Sequence, residues 1–409
     1  MTCRQAPPLL GRFHTVAFIT TLGTNPGDDF IREGIRWFLG ELLERYNAIY
    51  VNKHDPGTFC VRAEEVPWRR WIARRLGLPT GPARVPPAAQ RASFDKLREA
   101  DLVVQCGGPF YWWTPLWRNY RPRFYRPPDS SCARASWRKA IWDERIAQVS
   151  GRVPVLNIGV GSSQPFHSRG EEILADESCR AFIRETYGMC RMTTTRDEVA
   201  HGILNALGLP NELLPCPSLF ANDALGITPA LPEFVALNFM PGGGHGQCGQ
   251  ALSVREWHET FLALFRYLER RHPVVVVCHS LREWLALRDE IPPHALFYSD
   301  RFADYLHLYA QCRAGILNRV HGALALASFG APAILIGNDT RALAGRTLGM
   351  PVYFTNEITL PRLIQAFEHL TDRASEASQS LLAAKESARG RYLHLLKGAL
   401  AERARPEAA

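Results

Sequence analysis

A chain of 409 residues, 46% hydrophobic and 22% charged, has material for two or three domains with cores of their own, and this composition excludes a disordered or fibrous protein. The net charge of +8 comes largely from arginine and is accompanied by no zinc finger, RNA-recognition signature or lysine tail. That excludes nucleic acid and favours small anionic ligands, whose carboxylates and phosphates arginine grips bidentately.

Residues 1–12 lack the apolar centre of a signal peptide and read as a disordered leader on a cytoplasmic protein. Ten cysteines without a CxxC pair predict reduced thiols and no metal site, and no run of about 18 apolar residues is present to cross a membrane. The run His14–Thr20 predicts a strand, Asn25-Pro26-Gly27-Asp28-Asp29 a turn, and Ile31, Ile35, Phe38, Leu39 and Leu42 the buried face of a helix. Phe94–Ala100 reads as helix and Asp101–Cys106 as a buried strand running into Gly107-Gly108. An insertion over 109–130 interleaves aromatic residues with arginines between Tyr111 and Arg126. Strands follow at Val153–Ile158 and Arg191–Thr195, with helices near Glu177–Tyr187 and up to Gly208.

The pattern restarts at Leu231-Pro232-Glu233, which sets a boundary between a domain over 13–230 and a second over 231–372. Phe234–Phe239 is a strand leading into the loop Pro241–Gly246, and Ser253 with Glu256 predicts a capping box. Val274–Cys278 is a strand, β-branched from Val274 to Val277 as a central parallel strand requires. Further strands are expected at Ala295–Tyr298, Gly315–Asn318, Ala333–Ile336 and Val352–Phe354, and helices at Leu360–Leu370 and Ala374–Leu400, the latter within a C-terminal helix and tail over 373–409. Two successive sets of alternating strands and helices predict an α/β protein of two Rossmann-like domains with a cleft between them, ligands lying beyond the carboxyl ends of the strands.

The candidate residues cluster at those strand ends. The turn holding Asn25, Gly27 and Asp28 puts free backbone amides at a helix N-terminus; Asp28 is either the cap or a group that meets an acceptor hydroxyl at the cleft. Gly107 and Gly108 signal a tight turn or a close backbone approach, and neither strand end carries GxGxxG, which disfavours a nicotinamide enzyme. Arg196 stands where a strand gives way to a helix, suited to a carboxylate or to a surface pair with Asp197 or Glu198. Arg319 and His321 flank Val320 before Gly322 and a small-residue helix; on extended backbone they face one side, a fixed cation beside an imidazole that moves protons. His245 in the glycine loop suits phosphate or is part of a flexible loop. Trp112, Trp113 and Trp117 suit sugar stacking or pack an insertion on itself.

Taken in order, Asn25-x-Gly27-Asp28, the strand into Gly107-Gly108, the glycine-rich strand end Gly159–Gly161, Arg196-Asp197 before a helix, and Arg319-x-His321-Gly322 before a small-residue helix and Ala331-Pro332-Ala333-Ile334 resemble the polysaccharide pyruvyl transferase family. The resemblance runs from about Val16 to Pro351 and departs from the family pattern at Pro217–Phe220 and at Asn338–Arg341. It implies a GT-B-like fold, phosphoenolpyruvate as donor, no cofactor, and a sugar of a polysaccharide or of its lipid-linked precursor as acceptor. It further implies that Arg196, Arg319 and His321 line the donor site, to which Gly322 and His245 are added. His321 would act as general acid/base with Arg319 beside it, and Asp28 would orient or deprotonate the acceptor. Asn25, Gly27, Gly107, Gly108 and Trp112 would lie on the acceptor side. Peripheral contact with the inner face of the membrane would come only through a lipid-linked acceptor. The rival readings are a GT-B-type glycosyltransferase using a nucleotide sugar and a catalytically idle sugar- or lipid-binding protein of this fold; no oligomeric state is expected over another.

Overall fold

The computed structural model describes residues 13–21, 25–52, 96–108, 146–244 and 250–401. They build two six-stranded sheets. The first contains β1 (Thr15–Thr20), β2 (Asn47–Asn52), β3 (Leu102–Gly108), β4 (Val155–Val160), β5 (Met192–Thr195) and β6 (Glu212–Leu213), in the order β2-β1-β3-β4-β5-β6. The second contains β7 (Phe234–Leu237), β8 (Val274–Val277), β9 (Leu296–Phe297), β10 (Cys312–Leu317), β11 (Ala333–Gly337) and β12 (Val352–Phe354), in the order β12-β11-β10-β7-β8-β9. Neighbouring strands are parallel in both sheets. The order of connections reverses between β1 and β3 in one sheet and between β7 and β10 in the other, so each sheet has its crevice beyond the carboxyl ends of those strands.

Helix α1 (Pro26–Leu42) begins as the turn chemistry predicts. Asn25 caps it, Pro26 fills the first helical position where no amide hydrogen is needed, and Asp28 and Asp29 lie in its first turn. Phe30, Ile31, Ile35, Phe38 and Leu39 bury its apolar face. Gly34 on this helix is a contact point: a Cβ there would stand 1.9 Å from the carbonyl oxygen of Pro217, at the start of the 3₁₀ turn Pro217–Phe220. Backbone cannot yield as a side chain does, so Gly34→Ala is expected to cost about 1–3 kcal/mol, read as a lower denaturation midpoint with an unchanged slope.

The remaining helices used below are α2 (Glu177–Gly188), α3 (Glu198–Ala206), α4 (Val254–Glu269), α5 (Leu281–Leu287), α6 (Phe302–Tyr309), α7 (Val320–Ser328), α8 (Leu360–Asp372) and α9 (Ala374–Ala401). One apolar cluster joins the two halves: Phe30, Ile35 and Phe38 of α1 pack in the same core as Leu324 and Leu326 of α7 and as Tyr392, Leu396 and Leu400 of α9. The small side chains of α7 are buried from Gly322 to Ser328 and let this helix lie close to its neighbours. Helix α9 then crosses back to the first half, where the Tyr392 hydroxyl donates to the carbonyl of Pro215 (2.9 Å) and Arg191 Nη1 donates to the carbonyl of Ala399 (3.2 Å).

Several expectations need correction. The capping box at Ser253 and Glu256 does not form: Ser253, at φ −79° and ψ 69°, is outside the extended conformation of a side-chain cap and makes no capping bond. The described part of the helix expected at 94–100 is a single 3₁₀ turn, Lys96–Glu99. The edge strand β2 was not anticipated from its sequence. Among the described residues, no helix is long and apolar enough to cross a membrane, and no group of three metal-binding side chains is present. The insertion over 109–130 and the leader lie outside the described residues.

Candidate active site

The two crevices meet at one imidazole. His321 lies in the first turn of α7, beyond the end of β10, and packs against the first turn of α1, beyond the end of β1. A Cβ on Gly27 would lie 2.3 Å from His321 Nδ1, so only glycine lets the two helix starts approach this closely. From the end of β5, Arg196 Nη1 donates to His321 Nε2 at 3.0 Å, a bond between the two halves. A guanidinium has no acceptor, so Nε2 must present its lone pair. The imidazole in this arrangement is therefore neutral, with its proton on Nδ1.

Arg196 is a buried cation, 2% exposed. No carboxylate of the described residues is in contact with it, Asp197 acting on it through space; its Nε has no hydrogen-bond partner, and Cys216 Sγ is 3.9 Å from Nη1. It fits because residue 161 is glycine; a Cβ there would stand 2.5 Å from Arg196 Nε. The surface ion pair with Asp197 or Glu198 is not made. Asp197 instead caps α3 through Ala200 N–H (2.8 Å) and accepts from the backbone N–H and hydroxyl of Ser162 (2.8 and 2.7 Å). Burial, its largest influence, pushes the Asp197 carboxyl above the ordinary carboxylate range, against the pull of these donors and of Arg196. The Ser162 hydroxyl also pairs with that of Thr340 at 2.6 Å, and Thr340 exchanges bonds with the Gln164 backbone (2.9 and 3.0 Å), which ties β4's loop to the loop after β11.

Arg319 does not share a face with His321, as extended backbone would have required. Only Arg319 is extended (φ −87°, ψ 110°); β10 ends at Leu317 and α7 opens at Val320, so the helical twist of about 100° per residue turns His321 away. His321 points to the first half, whereas Arg319 points within the second. Its Nε donates to Glu283 Oε1 at 2.8 Å, and Nη2 pairs with the same carboxylate. Its backbone N–H donates to Asn238 Oδ1 at 2.8 Å. Behind it, His279 Nε2 meets the Tyr309 hydroxyl at 2.7 Å; burial, then the Arg319 charge, holds that imidazole well below its ordinary value, which keeps it neutral. Gly322 packs against both, since a Cβ there would lie 2.7 Å from the Tyr309 hydroxyl.

Asn25 Oδ1 accepts from Gly27 N–H (3.1 Å) and its Nδ2 donates to Asp28 Oδ2 (3.2 Å), so Asp28 is a buried side chain beside Gly27, 4% exposed. The structure thus brings Asn25, Gly27, Asp28, Arg196, Arg319, His321 and Gly322 to one region. Gly107 serves packing: at φ +55° its would-be Cβ is 3.0 Å from Ile31 and 3.1 Å from the carbonyl of Gly159, so it lets α1 lie on the sheet where Gly108 ends β3. His245 and Trp112 lie outside the described residues. Three asparagines escaped the sequence reading although each closes an apolar run. Asn238 Nδ2 donates to the Val277 carbonyl (2.7 Å), Asn318 Nδ2 to that of Ile336 (2.9 Å), and Asn338 Nδ2 to that of Gly242 (3.1 Å), sewing together the loops that carry Arg319.

Comparison with known proteins bears on this geometry. No curated protein matches the sequence significantly. Among solved structures, the chain is similar to S. aureus MnaA in its co-structure with UDP (TM-score 0.51, 11% identity, 95% of this chain and 97% of that one). It is similar to UDP-N-acetylglucosamine 2-epimerase from Rickettsia bellii (0.50, 14%, 94% and 96%) and to the N-terminal domain of Candida albicans trehalose-6-phosphate phosphatase (0.50, 12%, 98% and 98%). At these identities the likeness shows the fold: two Rossmann-like halves of the GT-B kind. The family model described as polysaccharide pyruvyl transferase matches residues 25–340, a span that opens on the cap of α1 and closes on Thr340. With that match covering the helix starts, the buried arginine and the imidazole between them, the chain belongs to the polysaccharide pyruvyl transferase family.

Proposed function

We propose that the protein transfers a pyruvyl group from phosphoenolpyruvate to a sugar of a polysaccharide or its lipid-linked precursor, leaving a ketal and inorganic phosphate. The observation that carries this reading is the contact between Arg196 and His321, a buried cation with no described carboxylate in direct contact touching a neutral imidazole between the halves. A small donor with a carboxylate and a phosphate supplies the negative charge that Arg196 lacks, while a neutral imidazole is ready to accept a proton.

In this reading Arg196 and Arg319 hold the donor's anionic groups. Once the donor draws the Arg196 guanidinium to itself, His321 Nε2 is released to take up a proton and deliver it to the donor's methylene carbon. The C2 centre becomes oxocarbenium-like, and an acceptor hydroxyl, oriented or deprotonated by Asp28, forms the new C–O bond. The C–O bond to phosphate breaks and phosphate departs with its electron pair. A second hydroxyl of the same sugar then adds to C2 and closes the ketal, its proton passing to the departing phosphate. Roles for His245 at the donor and Trp112 at the acceptor rest on the sequence alone.

The test is incubation of the purified protein with phosphoenolpyruvate and a saccharide panel that includes lipid-linked acceptors. Release of inorganic phosphate together with the mass gain of one pyruvyl ketal is expected. Thermal stabilisation by a nucleotide sugar and none by phosphoenolpyruvate would overturn the reading in favour of a glycosyltransferase. Within the same assay, Gly27→Ala is expected to slow transfer by about 10²-fold, since its Cβ displaces the imidazole from its position.

A further inference from the structure

We infer that Glu283 is a positioning residue that aims the Arg319 guanidinium, an inference that rests on the donor-binding role proposed for Arg319 above. The motif Ser280-Leu281-Arg282-Glu283 has the form of a capping box, and Ser280 does cap α5, its side chain accepting from Glu283 N–H. The Glu283 carboxylate does something else. It is 2% exposed. One oxygen, Oε2, accepts from His279 N–H at 2.7 Å and from Asn238 Nδ2 at 3.4 Å. The other, Oε1, takes the Nε edge of Arg319 at 2.8 Å together with its Nη2.

Asn238 holds the same arginine from its other end by accepting its backbone N–H. Asn238 at the carboxyl end of β7 and Glu283 on α5 therefore fix the start and the tip of one flexible side chain. A carboxylate gripping the Nε–Nη2 edge sets both the plane of the guanidinium and its rotation about the stem. Every Glu283 contact uses an oxygen as acceptor. A glutamine can face its amide nitrogen only toward a donor, either His279 N–H or Arg319, so an isosteric change breaks one bond and removes the opposing charge. As a helix cap, by contrast, glutamine serves as well as glutamate.

Two measurements on the full-length protein test this. The first is the Nε–Hε resonance of Arg319 followed by NMR without donor; the second is calorimetric binding of phosphoenolpyruvate. In Glu283→Gln, the Arg319 resonance should shift and exchange rapidly with solvent, and phosphoenolpyruvate should bind about 10–100-fold more weakly. Glu283→Asp, which keeps the charge at shorter reach, should fall between; should the glutamine variant fail to fold, an aspartate variant with an unchanged Arg319 resonance would overturn the inference. Once the guanidinium is gone, Glu283 has nothing to aim, so Glu283→Gln should add no further loss to Arg319→Gln. An unaltered Arg319 signal in Glu283→Gln, or losses that multiply in the double variant, would also overturn it. If the wild-type protein binds no phosphoenolpyruvate while its Arg319 resonance still depends on Glu283, the donor assignment falls and the positioning role stands.

Discussion

Replacing His321 with alanine is expected to slow pyruvyl transfer by about 10²–10⁴-fold, the usual worth of general acid–base help. The imidazole is touched both by the start of α1 and by the buried guanidinium of the first half. The variant should fold normally, since it removes a side chain that fills the space Gly27 leaves open. A coupling makes the claim sharper. Gly27→Ala is harmful only because its methyl meets the His321 ring, so its effect on stability should vanish in the His321→Ala background, a departure from additivity expected of groups in contact. Turnover within a fewfold of wild type in His321→Ala would remove the imidazole from the mechanism.

The second large effect concerns Arg196, where stability and function should move in opposite directions. A guanidinium buried with no described carboxylate in direct contact, and Asp197 acting on it only through space, is a burden on the empty protein, and replacing buried ionic groups by apolar ones of similar volume often stabilises by about 1–4 kcal/mol. Arg196→Met should therefore melt higher than the wild type when no donor is present. Donor-linked stabilisation should be lost with it. A ligand held at a hundredfold excess over its dissociation constant adds about 2.7 kcal/mol, so phosphoenolpyruvate should raise the melting point of the wild type and leave that of Arg196→Met unmoved. A variant that melts well below wild type would make Arg196 a structural strut; one still stabilised by phosphoenolpyruvate would place the donor elsewhere.

What could be read from the chain beforehand was whatever is local. Val274–Val277 declares a buried parallel strand because nothing but β-branched residues occupies it, and Asn25-Pro26-Gly27-Asp28-Asp29 marks the turn that opens a helix, though Asn25 and not the expected aspartate caps it. The two edge strands of the first sheet were harder. Asn47–Asn52 mixes polar and apolar residues over six positions, and Glu212–Leu213 is only two residues long, so neither carries a pattern above its surroundings. Pairings across long stretches left no trace at all. Arg196 and His321 are 125 residues apart, and Arg319 and Glu283 are 36 apart; nothing in either segment announces the other. Arg196 was equally consistent with a surface ion pair until its burial was known, because exposure depends on the packing of Gly161 from another strand. Glu283 stood in a capping pattern that concealed a second use.

Helix α9 separates the order of the chain from the order of the fold. Its Tyr392 packs on Phe38 and Phe220 of the first half, with ring centroids 4.9 and 6.2 Å apart. Residues late in this sequence thus complete a core whose other members lie far earlier in it. A nascent chain halted after β12 would hold two nearly finished sheets with an open apolar seam between them, and release of the last 28-residue helix would close it. Fragments divided between the sheets should likewise aggregate when expressed singly and recover solubility only when the C-terminal piece is supplied alongside.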